Sequence, residues 1–177
     1  MEINVIVAIQ DKDWGIGIGG DQPYSFKTDF ANFKEKTKEG YGSVTMGRKT
    51  WEALPKKFRP LEGRLNIVVT RNKNYPLPEG VLRAESYEHA KKLAVDHNPT
   101  GQVWNIGGGQ LYQEALQDDS TKEIYLTRVY DGKKACDVFF PNLEKKFKKE
   151  EVGDLQYHQN RFDKKYYYFR FEKWVRI

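Results

Sequence analysis

Short apolar runs alternate with segments of helical period along most of this chain, and that order constrains its fold more than any other feature. The runs at 3–9 (INVIVAI), 43–47 (SVTMG), 65–70 (LNIVVT), 81–84 (VLRA), 102–106 (QVWNI) and 123–129 (EIYLTRV) read as strands. Several carry apolar side chains at successive positions, as strands covered on both faces do. Residues 26–37, 48–54, 87–95 and 109–116 read as helices, the third entered through Ser86 as N-cap, with Glu88 and His89 in its first turn. Together these elements predict an α/β fold with a mostly parallel central sheet of about eight strands and about four flanking helices. The end of the chain changes character. KKYYYFRFEKW sets Tyr167, Phe169 and Phe171 on one side against Tyr168, Arg170 and Glu172 on the other, the pattern of a half-buried antiparallel strand. With a partner around 155–161 it would form an antiparallel C-terminal edge. The Gly- and Pro-containing stretches 15–25, 55–63, 72–80 and 130–142 read as loops.

A chain of 177 residues without repeats or linkers suits one domain spanning 1–177. Its single cysteine, Cys136, forms no intramolecular disulfide, which suits a reducing compartment. The first residues read as a strand rather than a targeting segment, and no run approaches about 18 consecutive apolar residues, so a soluble cytoplasmic protein without membrane contact is expected. Thirty Lys plus Arg against twenty-five Asp plus Glu give a net charge of +5, consistent with an anionic ligand. The lysines of LEKKFKKE and DKKYYYF have acids among them and read as a solvated surface; a nucleic-acid-binding face is the competing explanation. His89, His97 and His158 read as surface residues, and no cluster has metal-ligand spacing.

Four stretches could carry chemistry. In FKTDFANFK, Phe26, Phe30 and Phe33 share one helical face, and Asp29 lies on the same stripe. An unpartnered carboxylate on an apolar face is costly, so it needs a partner, exposure or a task. WNIGGGQLYQEAL is a strand, three glycines and a helix start, where backbone N–H groups and the helix dipole suit a phosphate; a tight structural corner would look the same. TMGRKTWEAL repeats the arrangement, with Arg48, Lys49 and Thr50 in the first turn, where basic residues oppose the dipole unless an anion sits there. Thr70 and Arg71 leave the third strand from the same edge of the sheet, and three phosphate-suited positions favour NADPH over NADH. DWGIGIGGDQPYSF is either a plain connection or a flap that closes over a site.

At this point the segments VIVAIQDKDWGIG, QPYSFKTDFANFK, VTMGRKTWEALP, LEGRLNIVVTR, VWNIGGGQLY, IYLTRV and CDVFFP, in this order and spacing, resemble dihydrofolate reductase over almost the whole chain. The resemblance implies a monomer that reduces 7,8-dihydrofolate to tetrahydrofolate with NADPH, serving one-carbon metabolism and thymidylate and purine synthesis. It makes Asp29 the carboxylate that orients and polarises the pterin, supported by Thr127, with Tyr24 beside the reacting ring. Ile6, Val7, Phe30, Phe33, Leu54, Leu61, Ile106 and Tyr112 would line the substrate and nicotinamide pockets, and Arg64, assisted by Arg59, would fork onto the glutamate tail. The cofactor would lie along Ala8, the flap (Gly15, Ile16, Gly17, Ile18, Gly19, Gly20, Asp21), Gly47, Arg48, Lys49, Thr50, Val69, Thr70 and Arg71. It would continue over Ile106, Gly107, Gly108, Gly109, Gln110, Leu111 and Tyr112, often with a cis peptide between the first two glycines. Asp137 matches an acid that steadies the closed flap. The chain departs from the pattern at Gln22, where an apolar residue is usual, at Tyr24, where tryptophan is usual, and at Gly20, where asparagine is common. A reductase of another pteridine or of a pyrimidine on the same architecture is the alternative, against which Arg64 speaks.

Overall fold

The computed structural model describes residues 1–177 and builds one sheet whose strands run from Ile3 to Arg176. The first apolar run forms its centre, β1 (Ile3–Gln10). Along β1, Ile3, Val5, Val7 and Ile9 enter one core and Ile6 enters another, because successive side chains of a strand point to opposite faces. A sheet apolar on both faces needs cover on both. Helices α3 (Tyr87–His97) and α4 (Gly109–Gln117) supply Ala90, Ala94, Leu111 and Ala115 to the first core. On the opposite face, α1 (Lys27–Lys38) and α2 (Arg48–Ala53) bring Phe33 and Trp51 to the second. Each fully buried aliphatic side chain contributes roughly 1.5–3 kcal/mol through removal from water.

Strands β6 (Val103–Asn105) and β7 (Thr121–Val129) flank β1 in parallel. Beyond β6 the sheet continues, still parallel, through β3 (Ser43–Gly47), β4 (Leu65–Val69) and β5 (Leu82–Ala84). On the other side β11 (Tyr166–Arg176) runs antiparallel to β7 and pairs outward with β10 (Gln156–Gln159), so the main path has eight strands. Ser86 caps α3 by accepting from the His89 N–H. His89 also accepts the Glu85 N–H and is half-buried, as is His158, packed on Phe169; His97 alone of the three is exposed.

Three strands appear where none is expected. β9 (Phe147–Val152) lies in the lysine-rich stretch and pairs with β11; it buries only Phe147, so no alternation announces it. β2 (Gly15–Gly17) and β8 (Val138–Phe139) lie in stretches read as loops and pair with each other, β2 also joining β1. The stretch 55–63 holds a 3-10 turn at Lys56–Phe58. Glu172, on the polar side of β11, is buried at 3% exposure; it sits opposite Leu126 of β7 and its carboxylate reaches diagonally to the Arg128 guanidinium.

Candidate active site

Phe26 is buried just ahead of α1 and pins the helix start to the sheet, which places Asp29, in the first turn, beside Thr127 of β7. The Thr127 hydroxyl donates to Asp29 Oδ1 at 2.6 Å, and no Lys or Arg pairs with the carboxylate. Burial raises its pKa to about 6, against the lowering effect of the Thr127 hydrogen bond. No other protein group donates to it, so Oδ2 is left for a ligand.

Around this carboxylate the walls are apolar. Ile6, Leu61 and Ile106 are buried; Phe30, Phe33 and Leu54 are half-buried. Tyr112 donates its hydroxyl to the Ile6 carbonyl at 2.8 Å, and burial, joined by the nearby Asp29 charge, pushes its pKa well up, so it stays a neutral donor. At the other end of α1, Thr37 is fully buried; it donates to the Phe33 carbonyl and accepts from Arg64 Nη1 at 3.0 Å. Arg64 is 8% exposed, lies 5.9 Å from the Phe33 ring and has no carboxylate partner; burial lowers its pKa. Eight residues of helix separate Asp29 from Thr37, a span of about 12 Å. Along α1 the order is therefore an acid with no basic partner, two aromatic rings and, beside Thr37, a guanidinium with no carboxylate partner.

Four of the expected site residues take other positions. Val7 and Leu111 point into the core under α3 and α4, so only their backbone faces the crevice. Arg59 does not join Arg64; its guanidinium rests 5.6 Å from the Trp51 ring and donates to the Trp51 carbonyl at 3.1 Å. The Tyr24 hydroxyl turns to the side-chain oxygen of Gln10 rather than toward Asp29, and burial raises its pKa far above the usual phenol range. Gln10 is fully buried and also holds both backbone groups of Lys134. Motif reading passed over Gln10 and Thr37, because their partners lie far away in sequence.

The glycine turns meet above the C-terminal ends of β3 and β6. The Gly47 N–H donates to the Gly107 carbonyl at 2.8 Å, and Gly107–Gly108 is a cis peptide. Gly107 has φ +104°, and a Cβ there would lie 2.8 Å from the Tyr112 ring. Helix α4 starts at this turn without a side-chain cap, leaving its first N–H groups to an outside acceptor. Lys49 and Arg71 are exposed and form no ion pair, whereas Arg48 is spent on Glu52 at 3.0 Å. Thr50 lies beside the turn, 3.5 Å from where a Gly108 Cβ would be. Thr70 uses its hydroxyl to accept the Asn72 N–H, and Ala8 and Val69 sit half-buried at the strand ends.

The segment over this crevice is a built hairpin. Ile18 and Asp21 exchange both backbone hydrogen bonds around Gly19 (φ +55°) and Gly20 (φ +91°), a turn that needs left-handed backbone at both central positions. Gly20 in place of the common asparagine meets that need. Asp137 Oδ2 accepts the Gly19 N–H at 3.0 Å, fastening the hairpin tip to the segment leading into β8. Gln22 is exposed beyond the tip, next to buried Pro23, and Ile16 packs against the first core.

The family model described as dihydrofolate reductase matches residues 2–176. The chain is 36% identical over 154 residues to a dihydrofolate reductase of Drosophila melanogaster, covering 84% of each chain. It is 34% identical over 174 residues to one of Pneumocystis carinii, covering 87% of this chain and 84% of that one. Identity to one of Schistosoma mansoni is 35% over 167 residues, with 88% and 87% covered.

Proposed function

The chain belongs to the dihydrofolate reductase family and reduces 7,8-dihydrofolate to tetrahydrofolate with NADPH, and from that premise we propose that Asp29 is the group that holds and polarises the heterocycle. The observation that carries this is a half-buried carboxylate on an apolar helix face, bonded only to a threonine. With Oδ1 occupied by Thr127, Oδ2 can accept from the pterin 2-amino group and the adjoining ring N–H, a charge-assisted pairing that offsets burial. A ligand carrying positive charge draws the carboxyl back toward ionisation, and the negative charge then favours protonation at N5. When bound, the reduced nicotinamide supplies the hydride that adds to C6, while the N5 proton arrives through water. Asp29 orients and stabilises; it does not itself touch N5. Phe30, Phe33, Leu54 and Leu61 would flank the aminobenzoyl ring, and Arg64 would meet the terminal carboxylate with a fork already oriented by Thr37.

The residues present fit the cofactor. Cβ-free backbone at Gly47 and Gly107–Gly108 lets a pyrophosphate approach the uncapped start of α4, and Lys49 and Arg71 remain available for the extra phosphate. The hairpin tied by Asp137 would cover the nicotinamide and exclude water. On this reading the protein works as a monomer in the cytoplasm; a single cysteine, with no intramolecular disulfide to form, suits a reducing compartment.

Loss of reduced-nicotinamide absorbance on mixing protein, NADPH and dihydrofolate tests the assignment. The parent turns over; Asp29→Asn lowers kcat/KM by about 10²- to 10⁴-fold, most strongly at pH 7 and above. Equal activity in both proteins would remove Asp29 from the chemistry.

A further inference from the structure

Away from the crevice, a cleft of about 370 Å³ opens between α2 and the loop that follows β4, a volume in the range of small-molecule sites. The loop contributes Tyr75, Pro76 and Pro78, and Trp51, the one buried residue of the lining, lies beneath them. From the turn after α2 come Lys56 and Arg59, and neither cation has a carboxylate partner. A hydrogen bond joins the two sides: the Tyr75 hydroxyl donates to Glu52 Oε2 at 2.6 Å. The same carboxylate accepts from Arg48 Nη1 at 3.0 and 3.1 Å, and Arg48 opens α2 beside the glycine turns. The Tyr75 hydrogen bond, joined by Arg48, holds the Glu52 pKa below the ordinary carboxyl value. Glu52 thus has one partner in the cleft and one at the cofactor crevice.

Resting on the reading of that crevice above, we propose that the cleft is a second binding site, for a small aromatic carboxylate, and that its ligand opposes NADPH through Glu52. The lining sets the ligand class. With the Glu52 charge met by Arg48 and Tyr75, the charge left over in the cleft is positive, on Lys56 and Arg59. A carboxylate meets the Arg59 fork and the Lys56 ammonium, while a flat ring packs on Tyr75, Trp51 and the prolines. The bound carboxylate also competes for the Tyr75 hydroxyl. Without that donor, Glu52 holds Arg48 more tightly, and Arg48, next to Lys49, becomes less available to the cofactor's phosphates. Coupling between two sites is reciprocal, so NADPH weakens the cleft ligand by the same factor.

Naphthoate is the probe, added with the folate groove filled by saturating folate and followed by NMR of the isotope-labelled protein. It shifts the Trp51 indole and Tyr75 backbone signals with a Kd of about 1 mM, as expected for a ligand of this size, whereas acetate at the same concentration shifts neither. Lys56→Gln, at an exposed position, weakens binding by about 3-fold, and the double variant Lys56→Gln/Arg59→Gln by about 10-fold or more. In steady-state assays at saturating dihydrofolate, naphthoate raises the KM for NADPH by about 5-fold and leaves kcat unchanged. Glu52→Gln still binds naphthoate, but its KM for NADPH no longer responds. Absence of the shifts, an unmoved NADPH KM, or a rise in the dihydrofolate KM instead, as a ligand beside Arg64 would cause, overturns the proposal and leaves the assignment of the enzyme intact. Absence of turnover by the parent protein would instead overturn the reading beneath it.

Discussion

Asp29 shows how a functional residue works against the stability of its own fold. Its pKa in the folded protein, about 6, lies above the ordinary carboxyl value of 3.8, so the folded state binds this proton more tightly than the unfolded chain does. The resulting stability is complete below pH 3.8 and is lost as pH rises through 6. Asp29→Asn therefore gains roughly 1–3 kcal/mol over the parent at pH 8, and the gap closes toward pH 4. Urea unfolding of the ligand-free proteins at the two pH values measures it; a variant less stable than the parent at pH 8 contradicts the account. Tyr24 shows a different residue-scale effect. Where an indole is usual, this chain has a phenol, and the hydroxyl has found Gln10, an interior partner on the strand before the flap. That substitution moves a polar group from the pocket side to the framework.

Among the elements, the flap is the clearest case of structure made by turn chemistry. Two residues with positive φ at Gly19 and Gly20 close the hairpin, and one exposed carboxylate fastens its tip. Because that bond is exposed, its loss hardly affects the global fold but shifts the balance between closed and open flap. Asp137→Ala is expected to leave the urea midpoint unchanged within about 0.5 kcal/mol while lowering the single-turnover hydride-transfer rate several-fold. Stopped-flow of the preformed NADPH complex with dihydrofolate reads that rate, and an unaltered rate removes Asp137 from flap control. Helix α4 illustrates the opposite economy. It lacks a side-chain cap, and its free N–H groups face the crevice where an anion belongs.

The whole molecule depends on how the antiparallel edge joins the parallel sheet. At that seam Arg128 of β7 donates twice to Glu172 of β11, at 2.9 and 3.1 Å, and once to Asp11 at the end of β1, while its guanidinium lies 4.9 Å from the Trp14 ring. Burial works against the Glu172 charge, but the Arg128 and Trp174 hydrogen bonds outweigh it and hold its pKa below the ordinary value. A lowered carboxyl pKa contributes stability above the unfolded value of 4.5 that disappears as pH falls through the folded one. Glu172→Gln leaves Arg128 short of a charge partner and costs about 3 kcal/mol at pH 7, less in acid. Urea midpoints at pH 7 and pH 4 check this, and a cost independent of pH would assign the loss to packing.

By itself the amino-acid sequence determined the alternation of strand and helix, the antiparallel ending, Asp29 on its apolar stripe and the glycine turns, because each is a local pattern legible in the period or composition of neighbouring residues. It was silent on β9, where a single buried phenylalanine in a lysine run leaves no period to read. Tertiary structure alone decided that Thr37 orients Arg64, that Arg59 goes to Trp51, that Gln10 takes the Tyr24 hydroxyl and that Phe58 reaches Phe30. Those choices join groups on separate elements. A side chain's partner is set by the distances and burial that the packed sheet imposes, which no neighbouring residue encodes.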